Sequence, residues 1–274
     1  MLVSIIITTK NEEDVLGNLL ESVKKQTHKS VEVLLVDNNS TDKTKDIGKK
    51  YGARVFNKGP ERSTQRNFGV KKAKGKYVLV LDADMVLTKN VLKELIEKAK
   101  NYKVLIVPEK SFGEGFWVKF KIFEREFYEG EDLIEAARFF ERETFLKFGG
   151  YDTGITGPED YDLPLRMRKA GLKIGRIKSY ILHNERVFSP LKSAKKKYYY
   201  ALKAGPYLKK HPKVALGQGN LLFRPIFLKK WKKFATHPFL GLGMLFVRFV
   251  EMFGALLGAI KSGLIKKVFF SIIR

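Results

Sequence analysis

The sequence contains no cysteine. Disulfides, thiolate metal sites and a cysteine nucleophile are therefore excluded, which fits a cytosolic or cytosol-facing protein. Acidic residues are in deficit too: 29 Asp and Glu face 53 Lys and Arg, a formal charge of +24. Such a surplus favours nucleic acid, anionic lipid or phosphate-bearing substrates by long-range attraction, and it names a class of partner rather than a chemistry. No secretory leader is expected, because the opening apolar run has no basic lead and no small-residue cleavage site; it reads as a first core strand. No internal repeat is evident. With 274 residues, 44% of them hydrophobic, the chain can bury a sizeable core and suits one large domain or one domain plus an appendage.

Residues 2–8 are mostly β-branched and apolar. A polar turn follows, and then the apolar-periodic set Val15, Leu19, Leu20 and Val23, which suits one face of a helix. The pattern recurs. Residues 31–36 form a nearly continuous apolar strand ending in Asp37-Asn38-Asn39-Ser40, and 41–51 read as the next helix. Val55 and Phe56 mark a short third strand, 62–72 a helix, 77–81 a fourth strand running into Asp82-Ala83-Asp84, 91–100 a helix and 104–107 another strand. Strands alternating with helices predict an α/β fold with right-handed crossovers and a mostly parallel sheet. Ligands of such sheets lie beyond the carboxyl ends of the strands, so the polar clusters after strands one, two and four share one edge. Residues 116–137 are aromatic and charged with helical spacing, Gly149-Gly150-Tyr151-Asp152 is a turn, and Glu159-Asp160-Tyr161-Asp162 opens a helix through Lys169 that Gly171 closes. Acidic residues in a first turn also serve the helix dipole, so this cluster has a plain capping account as well.

After about Leu191 the composition shifts. Residues 192–200 are basic and aromatic, 221–233 mix Phe, Leu and Trp231 with five Lys or Arg, 238–260 are apolar apart from Arg248 and Glu251, and 261–274 alternate basic with apolar residues. The apolar stretch is about long enough to cross a bilayer, but each mid-helix charge would cost roughly 2.5 to 3.5 kcal/mol there. The tail is therefore expected to form amphipathic or hydrophobic helices lying on an anionic leaflet, ahead of a spanning or a soluble packing role.

Asp82-Ala83-Asp84 places two carboxylates on one side of an extended segment. Such a pair can grip Mg²⁺ or Mn²⁺ together with substrate phosphates, because hard cations prefer oxygen ligands. A solvated acidic turn is the alternative for the pair in isolation. Asp37, Thr9, Asn11 and Glu12 would line the same crevice and can hydrogen-bond a base and ribose, or simply form turns. Arg62 and Arg66 precede the metal-site strand and could meet a diphosphate, or lie on a solvated helix face.

Four blocks carry a resemblance over about residues 1–205: VSIIITTKNEE, VLLVDNNSTDKT, TQRNFGVKKAKGKYVLVLDADMVL and FLKFGGYDTGITGPEDYDLPLRMRKAG. In this order and spacing they resemble family 2 glycosyltransferases of the GT-A fold. The resemblance implies a nucleoside site at Thr9, Glu12 and Asp37, Arg66 near the diphosphate, and a metal-binding DXD element at Asp82 and Asp84. It further implies Asp160 as general base of an inverting transfer. With these, the candidate donor set takes in Thr8, Asn11, Asn39, Arg62 and Ala83, and the candidate acceptor set Gly157, Glu159, Asp160 and Arg166. His183 resembles a position that in many relatives reaches the metal or diphosphate; a lone histidine is otherwise an ordinary surface or satisfied residue. Arg186, Lys192 and Lys196 are candidates to close over the diphosphate or a lipid head group, or form a solvated basic face. The metal motif is followed by Met85-Val86-Leu87, without the glutamine of some relatives, and no QxxRW signature of processive synthases or multi-span channel follows.

The expectation is thus a GT-A domain over residues 1–205 and basic, apolar membrane-associating helices over 206–274. The expected activity is metal-dependent inverting transfer of one sugar from a nucleotide-diphosphate sugar, a UDP-sugar ahead of GDP-mannose. The acceptor would be membrane-linked: a polyprenyl phosphate, a lipid-linked oligosaccharide or a glycolipid. The expected location is the cytoplasmic face of a membrane, with no nucleic-acid partner. Two rivals remain. A sugar nucleotidyltransferase shares the sheet and metal carboxylates, but the Gly-rich phosphate loop usual near its N-terminus is missing. A basic binding module without catalysis would show steeply salt-dependent binding and no need of Asp82 or Asp84.

Overall fold

The structure, a computed structural model, describes residues 1–212, 214–215 and 224–264. Two compact units emerge, each assembled from separated segments: Met1–Lys110, Glu129–Thr153 and Glu159–Asn184 form the first, and Ser111–Tyr128, Gly154–Pro158 and the chain from Glu185 onward the second.

The first unit is built on an alternation of strands and helices: β1 (Val3–Thr9), α1 (Glu13–Lys24), β2 (Val31–Asp37), α2 (Thr44–Lys50), β3 (Arg54–Asn57), α3 (Arg62–Lys72), β4 (Tyr77–Asp82), β5 (Met85–Leu87), α4 (Val91–Lys98), β6 (Val104–Ile106) and β7 (Glu109–Glu114), whose far end enters the second unit. After α5 (Val118–Tyr128) of the second unit come β8 (Ala137–Glu141), α6 (Arg142–Lys147), α7 (Glu159–Lys169), β9 (Ile174–Arg176) and β10 (Ile181–Val187). The main sheet runs β3-β2-β1-β4-β8-β6-β9, with β1 to β4 parallel and β8 antiparallel to both of its neighbours. The expected mostly parallel sheet is present, and β8 is the strand that the helical reading of 116–137 missed: that helix stops at Tyr128 and a loop leads into Ala137.

All seven residues of β1 are buried, as a strand covered on both faces requires. Alternate side chains enter opposite layers. Ile5, Ile7, Leu35, Leu79 and Leu81 pack with Leu16 and Leu19 of α1, whereas Ile6, Val36, Val78 and Val80 pack with Val70 of α3, Phe145 of α6 and Met167 of α7. Helix α3 lies so close to the sheet that a Cβ at Gly69 would collide with the Ile6 side chain. In register, Thr9 stands opposite Asp37 and Thr8 opposite Asp82, so β1, β2 and β4 end at one level and deliver their last side chains to one edge.

In the second unit, α8 (Pro190–Leu202) begins at the N-cap Ser189, whose hydroxyl accepts the Lys192 N–H, and α9 (Gly205–Lys210) follows. Helix Pro238–Lys261 packs on α5 and α8, and a Cβ at Gly254 would overlap the Ala194 carbonyl. It is long and apolar enough to cross a membrane. Its two mid-helix charges, however, turn inward: Arg248 pairs with Glu124 and donates to the Tyr128 hydroxyl at 3.0 Å, while Glu251 accepts from Ser193 and stands 3.8 Å from Lys121. Burial disfavours charge on Glu124, yet Lys121 and Arg248 hold its carboxyl well below the usual range. The opposite face leaves Leu242, Phe246, Phe249, Phe253 and Ile260 exposed. Residues 221–223 and 265–274 of the tail lie outside the described residues.

Candidate active site

The candidate site is the shared carboxyl edge of β1, β2 and β4, in the first unit. Asp37 closes β2 and is fully buried. Its carboxylate accepts from the Thr9 hydroxyl at 2.8 Å, the Ser40 hydroxyl at 2.5 Å and the Ser40 N–H at 2.7 Å. Asn11 and Asn39 adopt left-handed backbone, φ 54° and 52°, a conformation asparagine tolerates better than most residues. The Asn11 side chain accepts the Thr41 N–H at 2.9 Å, its own N–H donates to Ser40, and the Glu12 N–H donates to Thr44. The loops after β1 and β2 are thus laced together. Gln65 of α3 fastens them from below by donating to the carbonyls of Thr9 and Val36.

At the end of β4, Asp82 and Asp84 flank the buried Ala83, and Thr8 reaches Asp82 at 3.4 Å. Arg66, 0% exposed, joins two distant parts of the chain: its guanidinium donates to Asp82 at 2.8 Å and to Asp160 at 2.7 Å, over the ring of Tyr151. Burial opposes charge on Asp82, but Arg66, Arg138 and Arg62 hold its carboxyl well below the usual carboxylate range. Arg138 of β8 extends the chain of alternating charges. It donates to Glu109 at 2.6 Å and lies 3.7 Å from Asp82. Glu109 in turn faces Nδ1 of His183 at 3.3 Å, and Nε2 of His183 faces Asp84 at 3.4 Å. Burial opposes the imidazolium, but hydrogen bonds to Asp84 and Glu109 outweigh it and push His183 up to about 10.

The remaining candidates have other settings. Arg62 pairs with the buried Glu159 at 3.1 Å, and burial together with Asp160 pushes the Glu159 carboxyl up. Arg166 clamps the glycine turn: it binds Asp162 and donates to the carbonyls of Phe148 and Gly150. Gly157 belongs to the second unit, where a Cβ would meet the Tyr200 ring. His183 lies within β10, which runs on to Val187. Glu109 and Arg138 were not foreseen. For Arg138 the signal in hindsight is a charged residue inside the apolar segment 136–140, which burial permits only with a partner; Glu109, at the polar start of β7, carried no such signal.

The donor set suits a hard divalent cation. Asp84 Oδ1 is buried with no hydrogen-bond partner, an acceptor that a cation or a bound water would satisfy. Asp82 and His183 supply an oxygen and a nitrogen beside it. Among the described residues no three acidic or histidine groups already stand in coordinating geometry; Asp82 is turned toward arginines and His183 toward carboxylates.

The sequence model of glycosyl transferase family 2 matches residues 4–153, more than half the chain, and the chain belongs to that family. It is a glycosyltransferase of the GT-A fold. An uncharacterized glycosyltransferase of Methanocaldococcus jannaschii is 28% identical over 77% of this chain and 81% of its own length. The UDP-Glc:alpha-D-GlcNAc-diphosphoundecaprenol beta-1,3-glucosyltransferase WfaP of Escherichia coli is 39% identical over 30% of this chain and 35% of its own length. The chain spans 62% or less of the bacterial relatives compared. Among solved structures, the mannosyltransferase PcManGT of Pyrobaculum calidifontis, in complex with GDP-Man and Mn²⁺, superposes with a TM-score of 0.59 over 95% of this chain and 86% of that one, at 17% identity.

Proposed function

We propose that the enzyme transfers a single sugar, with inversion, from a nucleotide-diphosphate sugar to a membrane-linked acceptor, with Mg²⁺ or Mn²⁺ held by Asp82, Asp84 and His183. The observation that carries this reading is the unsatisfied buried oxygen of Asp84 at the level where β1, β2 and β4 end. A bound cation would neutralise the charge that develops on the departing nucleotide diphosphate. The chain's own residues do the rest. The laced loops of Thr9, Asn11 and Asp37, with Thr8, Glu12 and Asn39, form a rigid wall against which a base and ribose can be oriented. Arg66 sets the Asp160 carboxylate through Nη1, leaving the second carboxylate oxygen to take the proton of an acceptor hydroxyl, a contribution of roughly 10² to 10⁴ in rate. Glu159 and Arg62 brace the start of α7 on which Asp160 is carried.

A UDP-sugar is favoured over GDP-mannose as donor; WfaP takes a UDP-sugar and a diphosphoundecaprenol acceptor by its name, and PcManGT was captured with GDP-Man and Mn²⁺. The exposed apolar face of helix Pro238–Lys261 and the formal charge of +24 support peripheral or monotopic attachment to an anionic leaflet, at the cytoplasmic face, without spanning. Membership of a glycosyltransferase family displaces the two rivals, a nucleotidyltransferase and a non-catalytic binding module.

The test is nucleotide release from UDP-, GDP- and dTDP-sugars with Mg²⁺ or Mn²⁺, with and without EDTA, using wild type and Asp84→Ala in the presence of lipid extract. Metal-dependent release of one nucleotide diphosphate that the substitution abolishes is expected. Release indifferent to EDTA and to Asp84 would overturn the metal assignment.

A further inference from the structure

The helical unit contains a groove that sugar transfer to a soluble acceptor would not need. It offers about 470 Å³, open to one side, along helices Pro225–Lys229, Lys232–Thr236 and Pro238–Lys261, a volume in the range of small-molecule sites. Phe227, buried, and Phe234 form part of its wall with rings 6.3 Å apart, edge to face. Leu228, Trp231 and Leu242 stand on its rim, 72%, 59% and 71% exposed. Apolar surface gathered into one concave patch marks a binding site rather than ordinary surface scatter.

We propose that this groove holds the hydrocarbon chain of a single-chain, phosphate-bearing lipid, the anchor that carries the acceptor; the proposal rests on the membrane-linked acceptor reading above. Three observations select that occupant. The patch is an open groove whose volume has room for one extended chain entering from the leaflet. Its continuation is apolar as well, because Leu242 and Leu245 of the groove belong to the same helix whose outward face presents Phe246, Phe249 and Phe253. Its charge has one sign: Arg224 is the charged residue of the lining, its guanidinium over the Tyr128 ring at 5.1 Å, and the exposed Lys229 and Lys232 are next in sequence to the lining residues Leu228 and Trp231. A cationic border attracts a phosphate. It repels the same border on a second copy, which disfavours self-association through this face.

The experiment uses the full chain and a photoreactive analogue of farnesyl monophosphate, with the labelled peptides mapped after irradiation. Leu245→Phe and, on the exposed rim where folding is not at stake, Leu242→Phe narrow the groove without reducing its apolarity. Labelling within 224–245 is expected in wild type, falling about tenfold in each variant. Binding to phosphatidylglycerol vesicles should stay within about twofold of wild type. Label spread over other segments, label unchanged in both variants, equal displacement by two-chain phosphatidylglycerol, or a dimer buried through this face in sedimentation would each overturn the groove assignment. In those cases retained vesicle binding would leave the membrane reading standing. Absence of vesicle binding by wild type would remove both.

Discussion

Replacing Arg66 by methionine keeps the bulk of a fully buried side chain and removes its charge. Two charge-assisted hydrogen bonds are lost, to Asp82 at 2.8 Å and to Asp160 at 2.7 Å. Bonds of this kind are worth about 1.5 to 3 kcal/mol each, and breaking a buried ion pair by removing one partner costs about 3 to 5 kcal/mol. Asp82 and Asp160 are 17% and 18% exposed, so water relieves part of their stranded charge, and the lower end, about 3 kcal/mol, applies. For a chain of this size that is a fall in Tm of about 6 to 12 °C. Arg66→Lys, a single charged point unable to fork to both carboxylates, should fall between. Thermal unfolding by circular dichroism measures this directly. A methionine variant within about 2 °C of wild type would refute the view that Arg66 holds β4 and α7 together. Because Arg66 competes with a cation for Asp82, Mn²⁺ with UDP should raise the Tm of Arg66→Met by more than that of wild type; equal increments would show that no such competition exists.

Three further outcomes are expected. Asp160→Asn should abolish transfer to a hydroxyl acceptor but only weaken transfer to a phosphate, which is already ionised; full activity toward a hydroxyl would remove Asp160 as base. His183, raised from its ordinary 6.5 to about 10, stabilises the metal-free protein fully below about pH 6.5 and loses that contribution as pH climbs toward 10. His183→Gln should therefore flatten the decline of Tm across that window, and an unchanged slope would count against the Asp84–His183–Glu109 contacts. Phe249→Glu with Phe253→Glu places charge on the outer face of helix Pro238–Lys261, where it should cut co-sedimentation with anionic vesicles about tenfold or more while leaving Tm nearly unchanged; undiminished binding would mean another surface meets the lipid.

Much of the sheet was legible because its signals are local. Mostly apolar, β-branched-rich runs such as 2–8 and 77–81 are what a strand covered on both faces requires, and polar turns followed by helical periodicity between them admit few topologies. The Asp82-Ala83-Asp84 pair and Asp37 were readable for the same reason: each ends a recognisable strand, and parallel strands in register put those ends together. The antiparallel β8 was hidden by the helical spacing of the preceding aromatic stretch, which belongs to α5 alone.

What the one-dimensional pattern could not contain is who faces whom across long separations. Arg66 reads as a basic residue on a helix face, free to meet a diphosphate; the fold buries it between Asp82, 16 residues away, and Asp160, 94 residues away. Glu109, Arg138 and His183 come from three strands, and no spacing in the chain announces that they align. Arg248 and Glu251 look like interruptions of an apolar helix until Glu124 and Ser193 are placed opposite them. Residue order along the chain determined most of the elements, their polarity and the edge at which their polar ends gather, because these follow from side-chain periodicity and backbone chirality. Tertiary packing alone decided which charges are paired, since a buried ion requires its counter-ion at hydrogen-bond distance wherever in the sequence that partner lies.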